Sequence, residues 1–198
     1  MNLMLRGVAP LLLALWLSSA PAGDQCPAPQ PGRFSNPDGG YEFTIPEGLK
    51  GYWASPCTID PDGQCTCMGV HGLTIPLTSE AYLSVFSGYA PWRDDAEDSV
   101  NDPAAYISFL RKFDQSAKDA HFSHQHQVQV NGRGGYYLVE NFRDPKSGTQ
   151  MQEILYLFVD HKEVPNEVII SLRARADRIN QFKGSFGELL GSMRWLSH

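Results

Sequence analysis

The stretch DAHFSHQHQVQVNGRGGYYLVEN, residues 119–141, carries the pattern that decides the fold. From Phe122 to Val130, serine and glutamine alternate with apolar or imidazole side chains, which is typical of a half-buried strand. The following NGRGG segment has the composition of a tight turn. Tyr136 to Phe142 then predicts a second strand that returns beside the first.

The alternating pattern continues on both sides of this hairpin. Downstream, two more strands are predicted from Met151 to Val159 and from Glu167 to Arg173, after turns at DPKSG and HKEVPN. Upstream, the predicted strands are GGYEFTIPEG, LKGYWA, CTCMGVHGLTIPL and EAYLSVFSGYA. The connections are of hairpin length, which favours an antiparallel sheet.

Two helices accompany the strands. Asp102 and Pro103 predict the N-terminus of a helix that ends near Ala120. An apolar stripe at helical spacing supports it, formed by Tyr106, Phe109, Leu110, Phe113 and Ala117. A second helix is predicted from Asp177 to Trp195. The sequence therefore predicts an α+β domain, an antiparallel sheet with helices packed on it.

The first residues have the composition of a Sec-type secretory signal peptide. Arg6 precedes an apolar run that is too short to span a membrane, and Ala20-Pro21-Ala22 offers a cleavage site near Ala22. We therefore divide the chain into a signal peptide (1–22), a proline-rich leader (23–33) and one α+β domain (34–198). The protein is expected to be secreted or periplasmic, with no membrane span in the mature chain.

Charge narrows the class of partner. The 198 residues carry a formal net charge of −6 without a stripe of lysine and arginine. Nucleic acid is therefore not expected as a partner.

All four cysteines lie in the first third of the chain, and an even number in an exported protein predicts two disulfides. Cys65 and Cys67 are too far apart in an extended segment to bridge each other comfortably. A turn at Asp62-Gly63 brings Cys57 opposite Cys65, within one register step. The favoured pairing is therefore Cys57–Cys65 with Cys26–Cys67.

The order of elements resembles the PsbP-like fold family, typified by an extrinsic subunit of photosystem II and including exported bacterial proteins of unknown role. The resemblance covers residues 34–196 and is carried by GGYEFTIPEGLKGYW, with its F-x-I-P-x-G strand, by VIISLRAR and by SFGELLGSMRW. It implies an antiparallel sheet sandwiched by helices and a non-catalytic accessory or binding role. The cysteine-bearing segment SPCTIDPDGQCTCMG departs from the family pattern.

Three histidines form a candidate metal site. In a regular strand, His124 and His126 lie on one face together with Phe122, Val128 and Val130, and His121 precedes them. Two imidazoles at this spacing could hold zinc, copper or manganese. The alternative is an ordinary strand whose histidines lie at the rim of the core, and this alternative is favoured.

Catalytic motifs are missing from the sequence: there is no G-x-S-x-G, no phosphate-binding glycine loop and no H-E-x-x-H. Aromatic residues near strand ends or loops are candidate interface anchors, namely Tyr52, Trp53, Tyr89 and Trp92. The favoured function is an exported, non-catalytic domain that binds a protein or cell-envelope component. A metal-handling module and an unrecognised hydrolase are the alternatives.

Overall fold

The computed structural model describes residue 29, residue 104 and the ranges 32–53, 57–59, 65–67, 71–89, 106–108, 120–159 and 166–196. These residues contain twelve strands and a C-terminal helix, Lys183–Ser192. The strands are β1 (Arg33–Asn36), β2 (Tyr41–Thr44), β3 (Tyr52–Trp53), β4 (Cys57–Ile59), β5 (Cys65–Cys67), β6 (His71–Thr78), β7 (Ala81–Tyr89), β8 (His121–Val130), β9 (Arg133–Arg143), β10 (Gln150–Val159), β11 (Asn166–Arg175) and β12 (Arg194–Trp195).

Seven of these strands form the main sheet, in the order β3-β6-β7-β11-β10-β9-β8. Every neighbouring pair is antiparallel. The four predicted strands of the meander correspond to β8, β9, β10 and β11, each longer than predicted by one to four residues. The predicted α+β class and the antiparallel sheet are confirmed.

The period-two alternation of the strands gives the main sheet two apolar faces. The first, face A, includes Val139, Ile154, Phe158 and Ile170, and it packs against the C-terminal helix and the β1–β2 hairpin. The second, face B, includes Leu138, Leu155 and Ile169, and it packs against helical residues near position 106. Helical residues therefore cover both faces, as the resemblance to the PsbP-like fold implied.

Face B also contacts part of the first predicted helix. Ala104 and Tyr106–Ser108 are helical, and Tyr106 and Ile107 are buried. The rest of that helix, the predicted signal peptide, and all of the predicted leader except residues 29, 32 and 33 lie outside the described residues.

A small three-stranded sheet, β1-β2-β12, lies over face A. Strand β1 was not predicted from the sequence, because its four residues are too few to show an alternation. Buried Glu42 in β2 accepts a hydrogen bond of 2.9 Å from Nε of Arg33, and Nε of Arg194 lies 4.0 Å from its other oxygen. Two cations from different ends of the chain therefore neutralise one buried carboxylate.

The C-terminal helix is shorter than the predicted helix from Asp177 to Trp195. A 3-10 turn occupies Ile179–Phe182, and after Ser192 the chain becomes extended, with Met193 at ψ 136°. Trp195 then pairs with Tyr41 of β2. The local periodicity favoured helix to the end, but pairing with a distant strand decided the last residues.

The predicted strand CTCMGVHGLTIPL is also divided. Cys65–Cys67 pairs with β4 in a separate two-stranded sheet, whereas His71–Thr78 joins the main sheet as β6. The cysteine-bearing segment is therefore an insertion between two strands of the main sheet.

The turn of the β8–β9 hairpin holds the C-terminal end in place. Asn131 and Gly132 both have positive φ, 49° and 87°, as a two-residue primed turn requires. The Asn131 amide donates hydrogen bonds of 2.6 Å to the carbonyl of Met193 and 3.2 Å to that of Leu190. The indole of Trp195 donates a 2.8 Å hydrogen bond to the carbonyl of Val130.

Asn131→Ala should lower the free energy of unfolding by about 2 kcal/mol. It removes two hydrogen bonds to helix-end carbonyls and places a Cβ-bearing residue without a turn-forming side chain at positive φ. Asn131→Gly removes the same bonds without the backbone strain and should cost about 1 kcal/mol. Urea denaturation measures both variants, and equal losses would show that the left-handed turn geometry contributes nothing.

Candidate functional site

Strand β8 is the long free edge of the main sheet. It has ten residues, and among the described residues it pairs with β9 alone. The other edge, β3, has only two residues. The four consecutive residues 124–127 of β8 are exposed, and so is Gln129, so these side chains face solvent.

A β-bulge divides β8 into two parts. Ser123 lies opposite Val139 and His126 lies opposite Tyr137, so His124 and Gln125 together face the single residue Leu138. His124 adopts φ 54°, which is unusual for a residue other than glycine. The bulge leaves two regular segments, His121–Ser123 and His126–Val130.

The bulge changes which side chains share a face. Phe122 packs in the face B core, whereas Val130 packs against face A. The expectation that Phe122, His126 and Val130 share one face was therefore wrong, because the extra residue reverses the alternation.

The three histidines of the predicted metal site are all exposed. The imidazole of His126 packs against the ring of Tyr137, with centroids 4.8 Å apart. In the part of the chain that the structure describes, no group of three or more His, Cys, Asp or Glu side chains is arranged to hold a metal ion. A zinc, copper or manganese site at His121, His124 and His126 stays a prediction.

His126 begins a row of aromatic rings on face A. The ring of Tyr137 lies 5.2 Å from that of Tyr156, which lies 5.7 Å from Phe186 of the C-terminal helix. Desolvation by burial raises the pKa of Tyr137 above its usual range. The pKa of Tyr156 is raised by burial and then by the neighbouring Tyr137. The row joins the free edge to the core.

A cleft of about 490 Å³ lies beside the bulge. It is lined by Ala104, Ile107, Ser108, His121, Phe122 and Gln125. Its walls combine apolar carbons with hydroxyl, amide and imidazole groups, a mixture that suits one partner side chain. His121 was a candidate site residue from the sequence. The cleft itself depends on contact between β8 and helical residues, which no local sequence pattern encodes.

A second cleft, of about 360 Å³, surrounds Arg173 near the opposite end of β9. The guanidinium lies 4.4 Å from the ring of Phe142, and its Nη1 is 4.0 Å from Oε2 of Glu153. Asp144 also faces this cleft, and hydrogen bonds from Ser147, with a smaller contribution from the charge of Arg173, lower its pKa. The arginine is thus surrounded by its own acidic partners.

The aromatic interface candidates have different surroundings. Tyr52 is 54% exposed and is available to a partner. The ring of Trp53 lies 5.8 Å from Phe34 in an edge-on contact and packs on the core. The side chain of Tyr89 and all of Trp92 lie outside what the structure describes. These residues stay predictions as an interface.

No helix within the described ranges is long and apolar enough to cross a membrane.

The antiparallel sheet with helical residues packed on both faces corresponds to a PsbP-like fold. One solved structure similar to this chain is the solution structure of the cyanobacterial PsbP, CyanoP, from Synechocystis sp. PCC 6803. The two share 17% identity and a TM-score of 0.52, over 88% of this chain and 99% of that one. The resemblance inferred from the sequence is confirmed at the level of the fold.

Two other solved structures are more weakly similar. LpqN, described as involved in cell envelope biogenesis of Mycobacterium tuberculosis, has 12% identity and a TM-score of 0.44, over 85% of this chain and 87% of its own. A protein from Bacteroides thetaiotaomicron VPI-5482 has 12% identity and a TM-score of 0.47, over 86% of this chain and 50% of its own. No family model matches the sequence, and no curated protein sequence does.

Proposed function

We propose that this protein is an exported, non-catalytic binding domain that captures an extended segment of a partner protein along the outer edge of β8. The observation that carries the proposal is the ten-residue strand at the end of the main sheet, paired on one side only within the described residues. An extended peptide adds to such an edge by making main-chain hydrogen bonds. Export is supported by the composition of residues 1–22.

The bulge is consistent with a selective edge. Free edges promote aggregation unless bulges or polar side chains interrupt them. In β8 the bulge leaves His126–Val130 as a regular run of five residues, with glutamine at two of them. A short segment fits this run, whereas a long flat strand of another molecule does not.

The free energy of main-chain hydrogen bonding alone is too small for tight binding, so the neighbouring cleft must contribute to affinity. Five main-chain hydrogen bonds at about 1 kcal/mol each give roughly 5 kcal/mol, which corresponds to a dissociation constant on the order of 0.2 mM. One buried apolar side chain adds about 2 kcal/mol. Useful affinity therefore requires an apolar anchor in the cleft beside Phe122 and Gln125.

The test uses linear 12-residue peptides selected from a random phage-displayed library on the full chain. We expect the selected peptides to share an apolar residue and to protect the amides of residues 126–130 from hydrogen exchange. N-methylation of alternate peptide residues should abolish binding in one of its two registers. Protection confined to other elements, or no selected peptide, would contradict the proposal.

A pair of proline variants provides the matched control. Successive backbone N–H groups point to opposite sides of a strand. Of the two variants Gln127→Pro and Val128→Pro, one therefore removes an N–H that points away from β9, and the other removes an N–H that points towards β9. The variant that loses the N–H pointing away from β9 should keep its melting temperature and lose at least tenfold in peptide affinity. Amide protection that instead rises with protein concentration, without peptide, would identify a second copy as the occupant and overturn the proposal.

A further inference from the structure

The insertion between β3 and β6 carries three cysteines on two short strands. β4 and β5 have three residues each and form a two-stranded sheet separate from the rest. A two-stranded sheet of this length is marginal by itself in water. A covalent link between the strands would account for its persistence.

The backbone register distinguishes the three cysteines. Cys57 lies directly opposite Cys67, Thr58 opposite Thr66, and Ile59 opposite Cys65. Directly opposite residues of an antiparallel pair have Cα atoms about 4.5 to 5.5 Å apart, within the range that a disulfide spans. Cys65 is displaced from Cys57 by two positions, and such diagonal neighbours are roughly 7 to 8 Å apart.

We infer that Cys57 and Cys67 form a cross-strand disulfide, which leaves Cys26 and Cys65 for the second disulfide that the number of cysteines predicts. A bridge within β5 is disfavoured because residues two apart in an extended strand have parallel Cβ vectors, which leaves the Cβ atoms about 6.6 Å apart where a disulfide needs about 4 Å. The register thus reverses the pairing that the turn at Asp62-Gly63 suggested.

Formation of each bridge is a two-electron oxidation. Two thiols lose two protons and two electrons to a disulfide oxidant, which is reduced to its dithiol by exchange through a mixed disulfide. Such oxidants act in exported compartments. The inference is independent of the β8 edge and of any partner.

Connectivity is tested on the full chain recovered from an oxidising compartment. Partial reduction at acid pH, followed by cyanylation and base cleavage, cuts the backbone before each cysteine that was released. Because only Thr66 separates Cys65 from Cys67, this chemistry distinguishes them where a protease does not. Singly reduced protein should give cuts before Cys57 and Cys67 in one species, and before Cys26 and Cys65 in the other.

Paired cuts before Cys57 and Cys65, or before Cys65 and Cys67, would overturn the assignment, and so would four free thiols. A variant supplies the second measurement. In Cys57→Ser, alkylation by a maleimide present during lysis at neutral pH should label Cys67 at least tenfold more than Cys65, as fragment-ion mass spectrometry measures. Predominant labelling of Cys65 or Cys26 would contradict the pairing.

Discussion

Gly135→Ala should lower the free energy of unfolding by about 3 kcal/mol or more, whereas Gly134→Ala should change it by less than about 0.5 kcal/mol. The two glycines are adjacent in β9 and have the same propensity for a strand. A Cβ at Gly135 would lie 2.5 Å from Cδ1 of Phe158 and 2.6 Å from the carbonyl oxygen of Leu157. A Cβ at Gly134 meets nothing within 4 Å.

The cost at Gly135 follows from what the ring of Phe158 supports. Phe158 is fully buried, and its ring centroid lies 4.7 Å from that of Trp195. Displacing the ring therefore disturbs the docking of β12, and the carbonyl of Leu157 belongs to the β10 backbone and cannot turn away.

Urea denaturation of the two glycine variants at neutral pH measures the difference. Phe158→Leu supplies the internal control, since a smaller side chain makes room for the new methyl group. The double variant Gly135→Ala/Phe158→Leu should be more stable than the sum of the single losses predicts. Equal losses at Gly134 and Gly135 would show that the close approach of Phe158 is unimportant.

Raising the pH from 10 to 12 should remove about 2 kcal/mol of stability through Tyr41. Its hydroxyl accepts a 3.2 Å hydrogen bond from the Asn36 amide, which also donates at 3.2 Å to Ser87 of β7. Burial raises the pKa of Tyr41 from its usual 10.0 to about 12, although the hydrogen bonds with Asn36 and Ser87 oppose this rise.

The direction of the effect follows from proton binding. The folded state holds the phenolic proton more tightly than the unfolded state, so the stabilisation is fully present below about pH 10. It is lost as the pH rises from 10 towards 12, because the unfolded state releases its proton first. Above pH 12 both states are ionised and the loss is complete.

Tyr41→Phe isolates this contribution. The variant should lose about 2 kcal/mol at pH 7, where the hydroxyl hydrogen bonds with Asn36 and Ser87 are missing, and it should show a smaller fall between pH 10 and 12 than the native protein. Denaturant titrations at each pH compare the two. Parallel pH profiles would mean that Tyr41 keeps an ordinary pKa in the folded state.

The strand meander could be predicted from the sequence because its signals are local. The continuous apolar runs of β10 and β11 indicate two buried faces, and the Asn131-Gly132 pair has residues that tolerate positive φ. The bulge in β8 has no such signal. His124 has the positive φ that glycine usually adopts, and the residues on both sides of it alternate as in a regular strand.

The candidate site was predicted only in part. His121 was singled out as a metal ligand, but its described surroundings are a mixed cleft shared with Ile107 and Gln125. The sequence predicted that Gly135 belongs to a turn. In the structure it lies in β9, and its close approach to Phe158 connects β9 with β10. Such contacts depend on residues far apart in the chain, and one sequence does not reveal them.

The sequence by itself determined the antiparallel meander and the negative net charge, because strand periodicity depends on neighbouring residues and net charge depends on composition alone. The tertiary structure decided which strand is left at the edge, where the last helix ends and which cysteines lie opposite each other. Each of these depends on pairing between distant segments, where the free energy of main-chain hydrogen bonding and burial outweighs local preference.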